Sequence, residues 1–226
     1  MIEPEQKNRW LREFNLNGFI LLRAFLPPDL VSGMHDQLLP ILRAEHRKAR
    51  DDGFARGRAP GRLALDVSEY IRLLGGPLAD ERFHRNPLIE ELVDEVLGGA
   101  NGWKRGWTQV EVVFRGSDHM AWHSDQKPEE TPDLHGPHRV LRVTYNIPLV
   151  DFTWANGALE VLPGSHHLPR ADTVSAAMTE IPNLYPVPLY LRRGDALLRD
   201  GNTLHRGTPN VTDAARPMLD QTYKRR

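Results

Sequence analysis

The chain contains no cysteine, which rules out disulfides, thiolate metal sites and a cysteine nucleophile, and suits a reducing compartment. Nor is there an apolar run near the roughly 20 residues that a membrane-spanning helix needs. Charge of neither sign dominates. The 29 Lys and Arg stand against 30 Asp and Glu, and a net charge of -1 gives no global attraction to nucleic acid or an anionic membrane. The opening Met1-Ile2-Glu3-Pro4-Glu5 is acidic and polar, unlike a secretory signal, so the cytoplasm is the expected location. No internal repeat or low-complexity block interrupts the chain. Its 226 residues, 40% hydrophobic and 26% charged, suffice for one buried core. A single domain over 1–226 is expected, with helical support and an opening strand in 1–106 and a strand-rich core in 107–226.

The front half reads as helical. Pro4 to Asn17 closes at Gly18, and Pro28 to about Arg50 carries Leu30, Val31, Met34, Leu38, Leu39, Ile41 and Leu42 at helical spacing, with Pro40 predicting a kink. A third helix begins at the cap Asn86 and Pro87, runs through the stripe Leu88, Ile89, Leu92, Val93, Val96 and Leu97, and ends at Gly98-Gly99. From Trp107 the pattern becomes short β-rich runs broken by Asn156-Gly157, Gly194-Asp195 and prolines, which predicts a double-stranded β-helix, jelly-roll or cupin-like, with flanking helices. Two runs alternate clearly. Val110, Val112 and Phe114 oppose Gln109, Glu111 and Arg115, while Leu141, Val143, Tyr145 and Ile147 oppose Arg142, Thr144 and Asn146. A polar face on such a strand meets either solvent or a wet cavity.

His123-Ser124-Asp125 and the downstream His205 supply two imidazoles and a carboxylate, a set that suits divalent non-haem iron and leaves coordination positions open. Alternate residues of a strand share a face, so His123 and Asp125 would project toward one metal. Spacing alone is weak support: ten His and sixteen Asp produce roughly 0.7 such pairs by chance in a chain of this length. A surface His beside a solvated Asp is the competing account.

The surrounding sequence is more specific. Asn17 to Leu26 followed by Pro28-Asp29-Leu30, Trp122 to Asp125, Asn156-Gly157-Ala158-Leu159-Glu160-Val161-Leu162-Pro163-Gly164-Ser165-His166, Gly194-Asp195, and His205-Arg206-Gly207 occur in that order, with Arg216 eleven residues after His205. Together these blocks resemble the phytanoyl-CoA dioxygenase family of Fe(II)/2-oxoglutarate oxygenases, including its ectoine hydroxylase branch, along almost the whole chain. The resemblance implies that His123, Asp125 and His205 are metal ligands and catalytic residues, that Fe(II), 2-oxoglutarate and O2 are required, and that Arg216 binds the cosubstrate. A planar guanidinium matches a distal carboxylate bidentately. Gln109 is implied near the metal-binding end of the cosubstrate. The family often has a hydroxyl residue two positions after the distal His, where this chain has Gly207, so Thr144 or Thr208 becomes the candidate second donor. The implied reaction oxidatively decarboxylates 2-oxoglutarate to succinate and carbon dioxide while oxidising a substrate carbon. Related halogenases replace the carboxylate with a small residue, so the intact Asp125 implies hydroxylation, desaturation or ring closure.

Arg142 and Asn146 share the polar face with Thr144 and are candidate substrate-binding residues, Arg142 for a carboxylate or phosphate. A small or medium metabolite is expected: an amino acid, a lipid-derived acid or a natural-product intermediate. Segment 43–62, with seven Lys or Arg against three Asp or Glu, reads as a solvated helix followed by a flexible lid, and 127–138, with His135 and His138, as a mobile loop near the pocket mouth. His166 and His167 read as structural or entrance residues. Two other functions stay open at this point: a zinc hydrolase using the same ligands, which would need a general base beside the metal, and a non-catalytic small-molecule binder on the same barrel.

Overall fold

A computed structural model describes residues 3–51, 60–126, 139–168 and 185–226. The first helix, α1 (Pro4–Asn17), ends as predicted at Gly18, whose left-handed backbone (φ 82°) lets its N–H donate to Phe14 O. A Cβ at Gly18 would lie 2.2 Å from Thr203 Oγ1, so glycine also permits a close approach. The Gly18 carbonyl accepts from Asp200 N and Thr203 Oγ1, tying the helix end to the turn that precedes His205.

Strand β1 (Phe19–Leu22) leads into α2 (Pro28–Asp51), which runs on through Pro40 and buries Leu30, Val31, Met34, Leu38 and Leu42. Short helices α3 (Ser68–Leu74) and α4 (Glu81–His84) precede α5 (Pro87–Leu97). Asn86 Oδ1 accepts from Leu88 N and Ile89 N, the cap expected from sequence. Between α2 and α3 lies β2 (Arg62–Asp66), an edge strand that the sequence reading passed over. The five residues acquire their structure by pairing with the next strand, so their own pattern carried little signal. Of the expected lid, residues 52–59 lie outside the described residues, as does the expected loop 127–138 with His135 and His138.

The remaining strands are β3 (Trp103–Val113), β4 (Arg142–Pro148), β5 (Leu159–Val161), β6 (Val187–Leu189), β7 (Ala196–Asp200), β8 (His205–Gly207) and β9 (Arg216–Arg225). They form an antiparallel six-stranded sheet, β1-β7-β4-β9-β3-β2, and an antiparallel three-stranded sheet, β6-β5-β8. This is the double-stranded β-helix with flanking helices. Three strands of the large sheet come wholly or partly from the front half, since β1, β2 and the start of β3 precede residue 107.

Alternation along the central strands separates two environments. Val110 and Val112 of β3, Val143, Tyr145 and Ile147 of β4, and Leu219 and Tyr223 of β9 join the helices in one apolar core. Burying each such side chain contributes about 1.5–3 kcal/mol. Gln109 and Glu111, Arg142, Thr144 and Asn146, and Arg216, Asp220 and Thr222 take the opposite face and line a pocket. A smaller apolar cluster, including Phe152, Leu159, Val161, Leu189 and Met218, closes one part of the space between the sheets. The core thus anchors the strands from outside while their polar residues meet inside.

Candidate active site

His123 and Asp125 do not lie in a regular strand. His123 forms an isolated antiparallel bridge with His205, exchanging backbone hydrogen bonds of 3.1 and 3.0 Å, and the N–H groups of Asp125 and Gln126 both donate to Gly201 O. The short segment is therefore pinned to both ends of the β7–β8 turn. This brings ligand atoms of His123, Asp125 and His205 within 4.8 Å of one another, the one such group among the described residues. His119, the other histidine weighed for a zinc site, is not in it.

Each histidine is oriented by its own neighbourhood. Nδ1 of His123 lies 2.9 Å from Ala121 O and Nδ1 of His205 lies 3.0 Å from Thr203 O, so Nδ1–H donation to these carbonyls leaves both Nε2 atoms as lone-pair donors. Burial, followed by the charge of Arg199, holds the His205 imidazole well below its ordinary value and hence neutral at neutral pH. Burial would raise the Asp125 carboxyl, but the Arg199 charge, the neighbouring histidines and the Arg199 hydrogen bond together outweigh it, and the carboxylate stays ionised far below its usual range. Asp125 Oδ1 lies 3.6 Å from His205 Nε2. Neutral His205 and ionised Asp125 are thus ready to ligate without first losing protons, with His123 in the same group.

The trio lines a pocket together with five other residues singled out from sequence, Gln109, Arg142, Thr144, Asn146 and Arg216. Their contacts differ from one another. Arg216 is 3% exposed, stacks on Phe152 with its guanidinium carbon 4.5 Å from the ring centroid, and leaves Nε without a hydrogen-bond partner. Burial, then neighbouring Arg62, pushes its pKa down to about 9, which still leaves a cation at neutral pH. Gln109 Nε2 donates to Glu111 Oε1, and Asn146 Nδ2 donates to Asp220 Oδ1 at 2.6 Å. Arg142 Nη1 donates to the backbone carbonyl of Asp125 at 2.5 Å while the guanidinium lies over Trp107. One of its donors is therefore spent on bracing the metal segment.

Thr144 needs a correction. Its hydroxyl donates to Asp125 Oδ2 at 3.2 Å, and its register partner on β9 is Thr222, six residues from Arg216, roughly 20 Å along the strand. It cannot share a carboxylate with Arg216. Thr208 is also committed, accepting from Ala158 N and donating to Ala158 O. The space beside Gly207 is filled instead by Arg62. A Cβ at Gly207 would lie 2.5 Å from Arg62 Nη1 and 3.5 Å from Arg216 Nη2. Arg62 is held by the carbonyls of Asp118, Gly207 and Thr208, and none of those bonds uses Nη1.

Arg62, Glu111, Arg199 and Asp220 line the pocket without having been assigned to it from sequence. Two of them carried usable signals. Asp220 has the same strand phase as Arg216, and Arg199 interrupts the apolar run Ala196-Leu197-Leu198. His166 and His167, expected to be structural or entrance residues, both direct Nε2 at Asn15 O. No helix among the described residues is long and apolar enough to cross a membrane.

The family model for phytanoyl-CoA dioxygenase (PhyH) matches residues 14–218. The chain belongs to this family. With it comes membership of the non-haem Fe(II)/2-oxoglutarate-dependent oxygenases, and the zinc-hydrolase and binder readings give way. The chain is 24% identical over 220 residues to the multifunctional dioxygenase ausE of Aspergillus calidoustus, covering 94% of this chain and 71% of that protein. A dioxygenase FrzG of Cladobotryum sp is 26% identical, with 94% and 72% covered. Among solved structures, the non-heme alpha ketoglutarate dependent epimerase SnoN from nogalamycin biosynthesis superposes with a TM-score of 0.68 at 20% identity, over 98% of this chain and 82% of that one. At that identity, the likeness shows the shared fold.

Proposed function

We propose that this protein, acting as one catalytic domain, hydroxylates an unactivated carbon of a small or medium metabolite using Fe(II), 2-oxoglutarate and O2, with release of succinate and carbon dioxide. The observation that carries the reading is Arg216. A guanidinium buried in a cavity costs several kcal/mol unless an anion pairs with it; Glu111 offsets part of that cost from a distance, but among the described residues Arg216 Nε has no hydrogen-bond partner. A dicarboxylate spanning from the histidine–aspartate trio to Arg216 supplies that anion. Arg62, beside Arg216 at the Gly207 position, adds a second positive group in place of the hydroxyl common in the family.

The residues fit iron and an oxoacid. His123, Asp125 and His205 would hold the metal through two neutral imidazoles and one carboxylate, a set that leaves open positions. When bound, iron and 2-oxoglutarate supply the oxidising chemistry. The chain's own residues position and shield: Arg216 receives the distal carboxylate, Gln109 faces the metal-binding end, and the apolar Leu159 and Met218 wall the pocket against water. At the mouth, the Arg142 guanidinium and Lys224 Nζ lie 5.2 and 4.4 Å from the Trp107 ring centroid. This supports a substrate with an anionic group, for which Arg142 and Asn146 are the candidate contacts. Amino acids, lipid-derived acids and natural-product intermediates fit that description.

Anaerobic titration of Fe(II)-loaded protein with 2-oxoglutarate tests the reading. A weak visible charge-transfer band is expected, absent in Asp125→Ala. Failure of well-folded wild-type protein to develop it would remove the proposal, while its appearance would turn substrate identification into a screen for succinate release.

A further inference from the structure

Arg199 is the most buried cation in contact with the trio, its side chain only 3% exposed. It stands on β7 directly opposite Thr144 of β4. Arg199 Nη2 donates to Asp125 Oδ2 at 2.7 Å, and the Thr144 hydroxyl donates to the same oxygen at 3.2 Å. One cross-strand pair therefore occupies one carboxylate oxygen from the sheet side. The other, Oδ1, faces His205 Nε2. The backbone beneath the carboxylate is held as well, by Asp125 N to Gly201 O and by Arg142 Nη1 to Asp125 O. Free rotation that would exchange the two oxygens breaks an ion pair and a hydrogen bond together.

Arg199 Nη1 also lies 3.0 Å from His205 Nδ1. With a metal on Nε2, Nδ1 carries the proton and gives it to Thr203 O, so the guanidinium stands beside the imidazole as a charge and not as its donor. Arg199 Nε is buried without a partner. A buried guanidinium is costly to keep, and Asp125 makes its one ion pair among the described residues.

We infer that Arg199, with Thr144, is a positioning residue for the metal carboxylate: it confines Asp125 to one-oxygen coordination through Oδ1 and withdraws charge from that ligand, making the bound metal electron-poorer. A carboxylate that shares one oxygen with a guanidinium is a weaker donor through the other, and outer partners of this kind tune a metal's electronics. The inference rests on the metal reading above.

The test uses the full chain and its Arg199→Leu, Arg199→Lys and Thr144→Val variants, loaded anaerobically with Fe(II) and 2-oxoglutarate, and separately with Co(II) alone. In Arg199→Leu the charge-transfer band is expected at longer wavelength than in wild type, because a stronger carboxylate donor makes Fe(II) easier to oxidise. Arg199→Lys retains the charge and should hold the wild-type position, and Thr144→Val should shift it slightly in the same direction as Leu. Without oxoacid, the Co(II) spectrum of Arg199→Leu should weaken as the freed Oδ2 adds to the coordination shell. A merely structural ion pair would alter stability and leave both spectra unchanged, and that result overturns the inference. Should Arg199→Leu fail to fold, a Thr144→Val band coincident with wild type overturns it equally. Wild-type protein that takes up neither Fe(II) nor Co(II) removes the metal reading and this inference together, whereas a normal wild-type band with unshifted variants removes this inference alone.

Discussion

Replacing Arg216 by methionine should make the protein more stable without cosubstrate and much weaker at binding it. Arg216 is 3% exposed, its Nε has no partner, and its planar group rests on Phe152. Relieving one unsatisfied buried polar group returns about 1–3 kcal/mol. Losing the stack on Phe152 takes back about 0.5–1 kcal/mol, and methionine retains most of the apolar stem. The net gain is about 1 kcal/mol, equivalent to about 2–4 °C in Tm for a chain of this size. On the binding side, two charge-assisted hydrogen bonds to a carboxylate contribute about 1.5–3 kcal/mol each. Their loss raises the 2-oxoglutarate Kd by about 10² to 10⁴, at tenfold per 1.4 kcal/mol. Thermal melts with Co(II) in place of iron, with and without a 2-oxoglutarate series, read both quantities in one experiment. An Arg216→Met protein that melts several degrees lower without ligand and keeps the wild-type Kd would refute the reasoning, since Arg216 would then be a structural residue with no anion to receive.

Single replacement of His123, Asp125 or His205 by alanine should abolish iron-dependent succinate formation, and near-normal turnover in any one variant would strike that residue from the ligand set. Gly207→Ser would reintroduce the hydroxyl common in the family, but its Cβ would lie 2.5 Å from Arg62 Nη1. Displacement of Arg62 should weaken 2-oxoglutarate binding by about 10- to 100-fold, the value of one charge-assisted contact, and isothermal titration showing tighter binding would contradict this placement of Arg62. Asp220 offers a pH test. Burial, reinforced by Glu111, holds its carboxyl well above the ordinary range in the folded protein, so its stabilising contribution is complete below the unfolded value of about 4 and is lost as pH rises through the folded one. Asp220→Asn, which keeps an acceptor for Asn146, should therefore melt close to wild type near pH 4 and progressively higher than wild type toward pH 8. Parallel melting curves across that range would show that Asp220 is not a buried protonated acid.

Helix ends and strand faces were legible because they depend on neighbours in sequence. Asn86, Pro87 and Gly98 mark α5 by local capping chemistry, and the two-residue period of β4 sends Val143, Tyr145 and Ile147 to the core and Arg142, Thr144 and Asn146 to the pocket. Strand β2 was not legible, since its edge position is conferred by β3. The assignment of Thr144 to a cosubstrate carboxylate failed for a related reason: alternation tells which face a residue takes and says nothing about its height along the barrel.

By itself the sequence determined the fold class, the inward faces of β3 and β4, and the identity of His123, Asp125, His205 and Arg216 as candidates, because period, capping and motif spacing are written in order along the chain. Only the tertiary structure decided what surrounds them. Arg199 reaches Asp125 across 74 residues and Arg62 reaches Gly207 across 145. Strand register sets such meetings, and register follows from packing of the whole sheet against its core. A guanidinium read from sequence is only a charge, and whether it steadies a metal ligand, seats an anion or faces water depends on which distant strand lies opposite.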